Sequence, residues 1–364
     1  MNQVGDVLES WPSDLFEIRT TSYGGRACFA TRDIPADTEV LVINRSLGNS
    51  ICHEFRKEVC SSCFQYEYGR TMKVRLPRGY SQIAPKGAGL WFCNEGCRGQ
   101  FLSQDHIKHL VEAYETLEQN WVSQRSKRKA EESAENIEYA VEITAADVDR
   151  AWNRLECEWV QKVALLKLSR RSCFLPVIDE AEFACARFVT NCLFTLLTAD
   201  ENSPQILAFQ CLQSNELPKI QKFPPLLQLQ QNVYKTLKIL LPPFLNSALN
   251  IEIFRHILGS EYGNSFGIWQ LEEDSDSREY LGYWVLPEAS FFNHSCAPNL
   301  EKCRRGNCMT FKLTTPVHKN QELCVDYKGI LHLPVQERRN VLKDNWFFDC
   351  GCDRCLSETL VKKA

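Results

Sequence analysis

Three thiols near the end of the sequence constrain the fold more than any other feature. Cys350, Cys352 and Cys355 fall within six residues, a close spacing that tetrahedral zinc sites use. Such a site needs a fourth ligand, and Cys296 is a candidate because it directly follows the string Asn-His-Ser. Free thiols crowded in this way would be easily oxidised, which favours a zinc site over a metal-free cluster. If Cys296 completes the site, one zinc ion fixes the C-terminal segment against the Asn-His string and builds a pocket where they meet.

A second set of cysteines with ligand spacing lies in the first third of the chain. Two close pairs predict one further zinc site, formed by Cys60, Cys63, Cys93 and Cys97. No cysteine occurs between residues 64 and 92, so an interleaved second site would lack a ligand pair. His106 and His109, with Cys52 and His53, are the remaining candidates for it, but their spacing favours an ordinary helix face for the two later histidines.

Composition sets the broad class of the protein. The chain has 364 residues, of which 44% are hydrophobic and 24% charged, as in globular proteins with one to three domains. A net charge of −4 argues against sequence-specific DNA binding. We find neither an apolar run long enough to cross a membrane nor a secretory signal. We therefore expect a cytoplasmic or nuclear monomer whose 18 cysteines are thiols or metal ligands rather than disulfides.

The hydrophobic pattern changes twice along the chain. Short alternating segments, such as residues 15–18 and 39–43, predict strands near the start. Apolar residues then recur at helical spacing from about residue 147 to 258, with prolines between the predicted helices. From Phe266 onward short strands and loops return. The pattern therefore predicts an α+β fold with a helical insert in its middle.

Four strings together resemble the SET-domain protein lysine methyltransferases, and among these the SET-and-MYND (SMYD-type) group. They run from Tyr23 to Ala30, from Asn293 to Cys296, from Glu322 to Tyr327 and from Cys350 to Cys355. The resemblance covers both ends of the chain and is thin between about residues 120 and 260.

The resemblance implies a β-rich SET fold of short strands, with a MYND-like zinc finger and a helical region inserted and a zinc-binding post-SET segment at the end. The expected segments are the N-terminal part of the SET domain at 1–50, the finger at 51–118, the helical insert at 119–258, the C-terminal part of the SET domain at 259–332 and the post-SET segment at 333–364. The finger departs from the two-zinc pattern of that group, so we expect two structural zinc ions in all. We also expect a short form without the C-terminal helical domain of the group, and hence a more open substrate cleft.

The resemblance also implies a reaction. It is the S-adenosylmethionine-dependent transfer of a methyl group, by SN2 displacement, to a lysine ε-amine of a histone or another protein. Tyr327 matches the catalytic tyrosine of the family, and Phe266 and Trp346 match the walls of its lysine channel. The implied cofactor-binding residues are Gly25, Arg26, Ala27, Asn293, His294, Tyr327 and Phe348. Ala27 stands where the family usually has glycine, and its small side chain still permits a close backbone approach.

Two other classes of function remain open from the sequence. One is a catalytically weak or inactive SET-like scaffold that binds a partner peptide, which the reduced finger, Ala27 and Trp346 favour. The other is a zinc-finger nucleic-acid factor, which the acidic balance and the lack of alternating basic and aromatic residues disfavour. Taken singly, aromatic residues such as Tyr327 and Phe266 are more often part of a core than of a site.

Overall fold

The structure is a computed structural model that describes residues 13–21, 25–77, 88–127, 143–271 and 278–361. Its strands are β1 Phe16–Thr21, β2 Gly25–Ala30, β3 Glu39–Ile43, β4 Gly48–Ile51, β5 Val74–Arg75, β6 Trp91–Phe92, β7 Ser265–Trp269, β8 Tyr280–Val285, β9 Asn293–His294, β10 Leu300–Arg305, β11 Cys308–Leu313 and β12 Cys324–Val325. Its α-helices are α1 Glu95–Leu102, α2 Ile107–Ser123, α3 Ala145–Arg154, α4 Gln161–Ala164, α5 Leu168–Arg171, α6 Glu180–Thr198, α7 Pro204–Cys211, α8 Glu216–Lys222, α9 Leu226–Leu240, α10 Pro243–Asn246, α11 Ile251–Glu261, α12 Val335–Trp346 and α13 Asp353–Val361. A π-helical turn, Leu155–Val160, joins α3 to α4, and 3₁₀ turns lie at His53–Phe55, Ser172–Phe174 and Pro287–Phe291.

The chain divides into two compact units, and the first is discontinuous in sequence. It consists of Met1–Ser46, Asp200–Gln213 and Leu286–Ala364. Its main sheet has the strand order β3-β11-β10-β12-β9, and β1 and β2 form a separate antiparallel ribbon. Along β11 buried residues alternate with less buried ones, as expected of a strand with one face on a core.

An aromatic contact ties the ribbon of the first unit to its sheet. The Phe292 ring lies 5.3 Å from that of Phe16 on β1 and 5.0 Å from that of Phe311 on β11. All three side chains are buried. Because Phe292 directly precedes β9, this packing fixes where the Asn-His string begins.

The second unit contains Leu47–Ala199 and Ser214–Val285. Its three-stranded antiparallel sheet has the order β4-β8-β7, and β5 pairs with β6. Helix α6 packs closely on β4, because a Cβ atom placed on Gly48 would lie 2.3 Å from Cys192 Sγ. Trp152, Tyr234 and Phe254 form an aromatic core among α3, α9 and α11, with ring centroids 5.2–5.8 Å apart.

Local sequence signals explain where several helices begin. Thr144 with Asp147 and Asp179 with Glu182 form complete capping boxes at the starts of α3 and α6, which satisfy backbone N–H groups that the first helical turn leaves free. Pro204 occupies the first turn of α7, where proline costs no hydrogen bond.

The α+β fold predicted from the sequence is confirmed. The predicted segment boundaries at 50, 118, 258 and 332 stay predictions. The boundaries between the two compact units fall at other positions. Strand β4 belongs with the second unit because it pairs with β8. Among the described residues, we find no helix of the length and apolar character needed to cross a bilayer.

Candidate functional site

The four cysteines of the C-terminal set come together in the first unit. Cys296 Sγ lies 4.0 Å from Cys350 Sγ and 3.5 Å from Cys355 Sγ, and with Cys352 the four sulfurs all lie within 4.8 Å of one another. Cys296 follows β9, whereas the other three lie in the first turn of α13 and the loop before it. We call these four residues the C-terminal cluster, and it holds residues 350–355 against the end of β9.

The second predicted set forms a similar cluster in the second unit, which we call the finger cluster. It contains Cys60, Cys63, Cys93 and Cys97. Cys93 Sγ lies 3.7 Å from Cys63 Sγ and 3.4 Å from Cys97 Sγ. The Asn94 side chain caps α1 by accepting a hydrogen bond from the Cys97 N–H at 2.8 Å. This cap fixes the turn that carries the last two cysteines.

Both clusters fit a zinc ion. A tetrahedral site with Zn–S bonds of about 2.3 Å places its sulfurs about 3.8 Å apart. The Sγ–Sγ distances of 3.4, 3.5, 3.7 and 4.0 Å lie on either side of that value. Four thiolates complete a tetrahedron and leave no position for water or substrate, so a zinc ion held by either cluster would be structural rather than catalytic.

The three histidines considered for another zinc site have other contacts. The rings of His106 and His109 stack on Phe244, with centroid distances of 5.1 and 4.5 Å. His53 Nε2 lies 3.3 Å from Glu118 Oε1. The metal-ligand clusters found in the described part of the chain are the two four-cysteine sets.

The Asn-His string and the segment before Tyr327 meet as two short parallel strands. Asn293 pairs with Cys324, and His294 pairs with Val325. Strand β9 is the last strand of the main sheet, so its outer edge is not paired with another strand of the described residues. Asn293 Nδ2 donates a hydrogen bond to Glu322 Oε1 at 3.0 Å. The amide and the backbone edge of β9 thus lie together at the end of the sheet.

Tyr327 follows β12 and lies beside His294 of β9 in a group of aromatic rings. Its ring is 5.3 Å from Trp346 and 6.3 Å, edge-on, from Phe348. Its hydroxyl donates a hydrogen bond to the Phe292 carbonyl at 3.1 Å. Burial raises the pKa of this hydroxyl above its ordinary value, so it stays neutral at physiological pH. Because the hydrogen is used by Phe292, the lone pairs of the oxygen can accept a further contact.

His294 links Tyr327 to the C-terminal cluster. The Tyr327 N–H donates to His294 Nδ1 at 3.2 Å, so the proton of the neutral ring lies on Nε2. That nitrogen is 3.4 Å from Cys296 Sγ. Burial lowers the pKa of His294 below its ordinary value, which is consistent with a neutral ring. The hydrogen bonds therefore run from the Cys296 sulfur through His294 to the backbone of Tyr327.

A third contact comes from Lys302 on β10. Its ammonium donates to the Tyr327 carbonyl at 2.9 Å. Burial lowers the pKa of Lys302 to about 8, and the nearby Asp326 carboxylate opposes that shift. Tyr327 is thus fixed at its hydroxyl by Phe292, at its N–H by His294 and at its carbonyl by Lys302.

The predicted cofactor residues near the N-terminus begin strand β2. Gly25 has a φ of 73°, a left-handed conformation that favours glycine. Ala27 is completely buried. Arg26 donates to the Cys211 carbonyl, and its guanidinium lies 5.3 Å from the Phe291 ring centroid. This side chain therefore has partners in α7 and in the 3₁₀ turn that precedes β9.

Strand β2 also lies next to the segment that leads to Tyr327. The Leu323 N–H donates to the Cys28 carbonyl at 2.8 Å. The structure thus brings β2, β9 and Tyr327 into one unit. Tyr23 and Gly24, the first residues of the N-terminal string, lie outside the described residues.

Phe266, which was expected to line the lysine channel, lies on β7 in the second unit. It is partly buried and pairs with Trp284 on β8. Its role, like those of Tyr327, Trp346 and the cofactor residues, stays a prediction.

Sequence reasoning missed Lys302 and Arg338, and it assigned no contact to Glu322, the first residue of one matched string. Arg338 is 1% exposed and donates to two sulfurs of the C-terminal cluster. A signal for it was present, because Arg338 occupies a position of α12 that helical spacing from Val335 and Leu342 assigns to the apolar face. Nothing in the sequence near Lys302 indicated its contact with Tyr327.

The family comparison agrees with this geometry. The SET domain model matches residues 25–328, which include both ends of the main sheet, the Asn-His string and Tyr327. The chain belongs to the SET domain family.

Similarity to individual proteins supports this family assignment. The chain is 46% identical to the "Potential protein lysine methyltransferase SET6" of Saccharomyces cerevisiae over 366 aligned residues, which cover 97% of this chain and 98% of that protein. It is 40% identical over 105 residues to a SET and MYND domain-containing protein of Dictyostelium discoideum, with 29% of this chain and 26% of that protein covered. It is 29% identical over 85 residues to "N-lysine methyltransferase SMYD2-B" of Xenopus laevis, with 23% and 20% covered.

Proposed function

We propose that this protein is an S-adenosylmethionine-dependent protein lysine methyltransferase. The observation that carries the proposal is the position of Tyr327, whose hydroxyl is oriented by Phe292 beside the end strand β9 and two further aromatic rings. Membership of the SET domain family and the near full-length similarity to a protein named as a potential lysine methyltransferase support it.

The residues around β9 fit the proposed cofactor. The edge of β9 that pairs with no other described strand offers backbone donors and acceptors of the kind that an adenine ring needs, and Phe348 offers an aromatic face. Asn293 and His294 lie on that strand, and the backbone of Gly25–Ala27 lies in the same unit. When bound, S-adenosylmethionine supplies a methyl group activated by its sulfonium.

The chain's own contribution is mainly to position and desolvate the reacting groups. Aromatic surroundings lower the pKa of a lysine ammonium by burial, and this favours the neutral amine that attacks. The lone pairs of the Tyr327 oxygen, free because its hydrogen is bonded to Phe292, can accept weak C–H hydrogen bonds from a methyl group. In this proposal Trp346, whose ring lies 5.3 Å from that of Tyr327, flanks the lysine. Holding the two reactants in line lowers the activation free energy by several kcal/mol. In well-oriented intramolecular reactions this effect reaches about 7–11 kcal/mol.

In this proposal the two zinc ions have a structural role. The C-terminal cluster holds the segment that carries Phe348 against the end of β9. We propose that the finger cluster is a MYND-like finger with a single zinc ion, since the cluster in the described residues has four ligands.

The proposal is tested by titrating the zinc-loaded protein with S-adenosylmethionine and S-adenosylhomocysteine in a calorimeter. We compare wild type with Asn293→Ala, and use Asn340→Ala, at an exposed position of α12, as the matched control. We expect saturable binding by wild type and the control, and at least a tenfold loss in Asn293→Ala. A folded, zinc-loaded protein that binds neither compound would refute the enzyme assignment and favour the peptide-binding scaffold.

A further inference from the structure

Arg338 occupies an unusual position for a charged residue. Its side chain is 1% exposed, and its Nε atom lies 3.2 Å from Cys296 Sγ. Its Nη2 atom lies 3.6 Å from Cys355 Sγ and 2.9 Å from Glu358 Oε2. The remaining Nη1 donates to the Leu333 carbonyl at 2.7 Å. Each guanidinium nitrogen therefore has a defined acceptor, and two of the acceptors are sulfurs of the C-terminal cluster.

The charge of a four-thiolate zinc site explains why an arginine fits there. Zinc with four thiolates carries a net charge of −2, and burying that charge without compensation is costly. An N–H donor to a thiolate sulfur removes part of the charge from the sulfur and orients the ligand. A planar guanidinium can direct separate N–H groups at two sulfurs, a carboxylate and a carbonyl at once, which an ammonium on a flexible chain cannot.

We propose that Arg338 stabilises zinc in the C-terminal cluster by donating hydrogen bonds to the sulfurs of Cys296 and Cys355. Arg338 is a positioning residue, since it acts on the metal ligands and not on the reacting groups. The proposal rests on zinc occupying the cluster and is independent of whether the protein transfers methyl groups. Glu358 holds the guanidinium in place and is itself fixed by Arg354 Nε at 2.8 Å.

The finger cluster provides an internal control in the same molecule. A side-chain hydrogen bond to one of its sulfurs comes from a neutral amide, from Asn94 Nδ2 to Cys93 Sγ at 3.3 Å. A change at Arg338 should therefore alter one zinc ion of the two. A general loss of folding would release both.

The test measures zinc release from the full-length protein. Metal content is determined first, and we expect two zinc ions per chain. A strong chelator and a zinc-sensitive dye then give the release rates, and mass-spectrometric labelling of the freed thiols assigns each phase to its cysteines. Losing a hydrogen-bond partner of a metal ligand usually lowers metal affinity by about 10- to 100-fold. We expect this loss in Arg338→Met to appear as release from the C-terminal cluster that is faster by about the same factor. Release from the finger cluster should not change.

Two more variants separate sulfur contacts from charge and from local packing. Arg338→Lys keeps the charge and should fall between wild type and Arg338→Met. If Arg338→Met fails to fold, the release rate of Arg338→Lys alone decides whether the sulfur contacts slow zinc release. Arg339→Met removes the neighbouring arginine, whose Nε donates to the Cys350 carbonyl at 3.0 Å and not to a sulfur. We expect its release rates to stay within about twofold of wild type, well below the tenfold that loss of a sulfur contact produces.

Cobalt substitution gives a spectroscopic measurement that would not change if Arg338 contributed only to packing. Hydrogen bonds to thiolate sulfur lower the energy of its lone pairs, so their loss in Arg338→Met should shift the sulfur-to-cobalt charge-transfer band of one site to lower energy. An unshifted band, a C-terminal cluster without zinc in wild type, wild-type release from Arg338→Lys, or equal acceleration by Arg339→Met would each overturn the proposal.

Discussion

Replacement of Tyr327 by phenylalanine separates the proposed chemistry from the stability of the fold. Tyr327→Phe keeps the ring contacts with Trp346 and Phe348 and removes a single hydrogen bond, from the hydroxyl to the Phe292 carbonyl at 3.1 Å. The net value of such a bond is about 0.5–1.5 kcal/mol, and a buried carbonyl left without a donor costs about 1–3 kcal/mol. We therefore expect the free energy of unfolding to fall by about 1–2 kcal/mol, which lowers the melting temperature by a few degrees.

The effect on methyl transfer should be much larger. The oxygen is the group that the structure orients beside β9, and its removal takes away both an acceptor for the methyl group and a contact for the lysine amine. We expect turnover to fall by about 100-fold or more, equivalent to about 2.7 kcal/mol in the activation free energy. Transfer of a radioactive methyl group to a protein substrate measures turnover, and calorimetry should show that binding of S-adenosylhomocysteine is nearly unchanged.

Tyr262→Phe is the matched control for this experiment. The Tyr262 hydroxyl accepts one hydrogen bond, from Gln230 Nε2 at 3.0 Å, and lies in the second unit. The Tyr262→Phe variant should lose a similar amount of stability and keep the turnover of wild type. Full turnover in Tyr327→Phe, or an equal loss in Tyr262→Phe, would show that our assignment of Tyr327 is wrong.

Two further predictions concern stability. Burial raises the pKa of Glu288 from 4.5 to about 7, so the folded chain keeps a proton that the unfolded chain loses, and stability falls as pH rises from about 4.5 to 7. Glu288→Gln should therefore be more stable than wild type at pH 7.5 and equal to it below pH 4.5 in urea titrations; a constant difference would contradict this. Gly282→Ala places a Cβ 2.2 Å from the Ser50 carbonyl oxygen at a φ of 150°, and should cost about 1–3 kcal/mol. Gly99→Ala meets no atom within 4 Å and should stabilise α1 by about 0.5–1 kcal/mol; the same urea titrations measure both, and equal effects would refute the steric argument.

The cysteine clusters could be predicted from the sequence because most of their members lie close together along the chain. Three cysteines of the C-terminal cluster lie within six residues, and each pair of the finger cluster lies within five. The fourth ligand, Cys296, was found through the Asn-His-Ser string beside it. Four-thiolate zinc sites use few spacings, so these spacings predict which cysteines lie together.

Other contacts could not be predicted, because they join residues that no local pattern connects. The stacking of His106 and His109 on Phe244 depends on how α2 and α10 pack. The hydrogen bond from Lys302 to the Tyr327 carbonyl depends on the strand order of the main sheet. Arg338 shows the same limit, since a charged residue on the apolar face of a helix indicates a buried partner without identifying it.

The discontinuity of the first unit has a consequence for biosynthesis. Strand β3, at Glu39–Ile43, pairs with β11, at Cys308–Leu313, so β3 lacks its partner until most of the chain has been made. Pairing between residues so distant in sequence forms slowly. The segments that surround Tyr327 are therefore assembled late, and until then the apolar residues of β2 and β3 are available to chaperones or to aggregation.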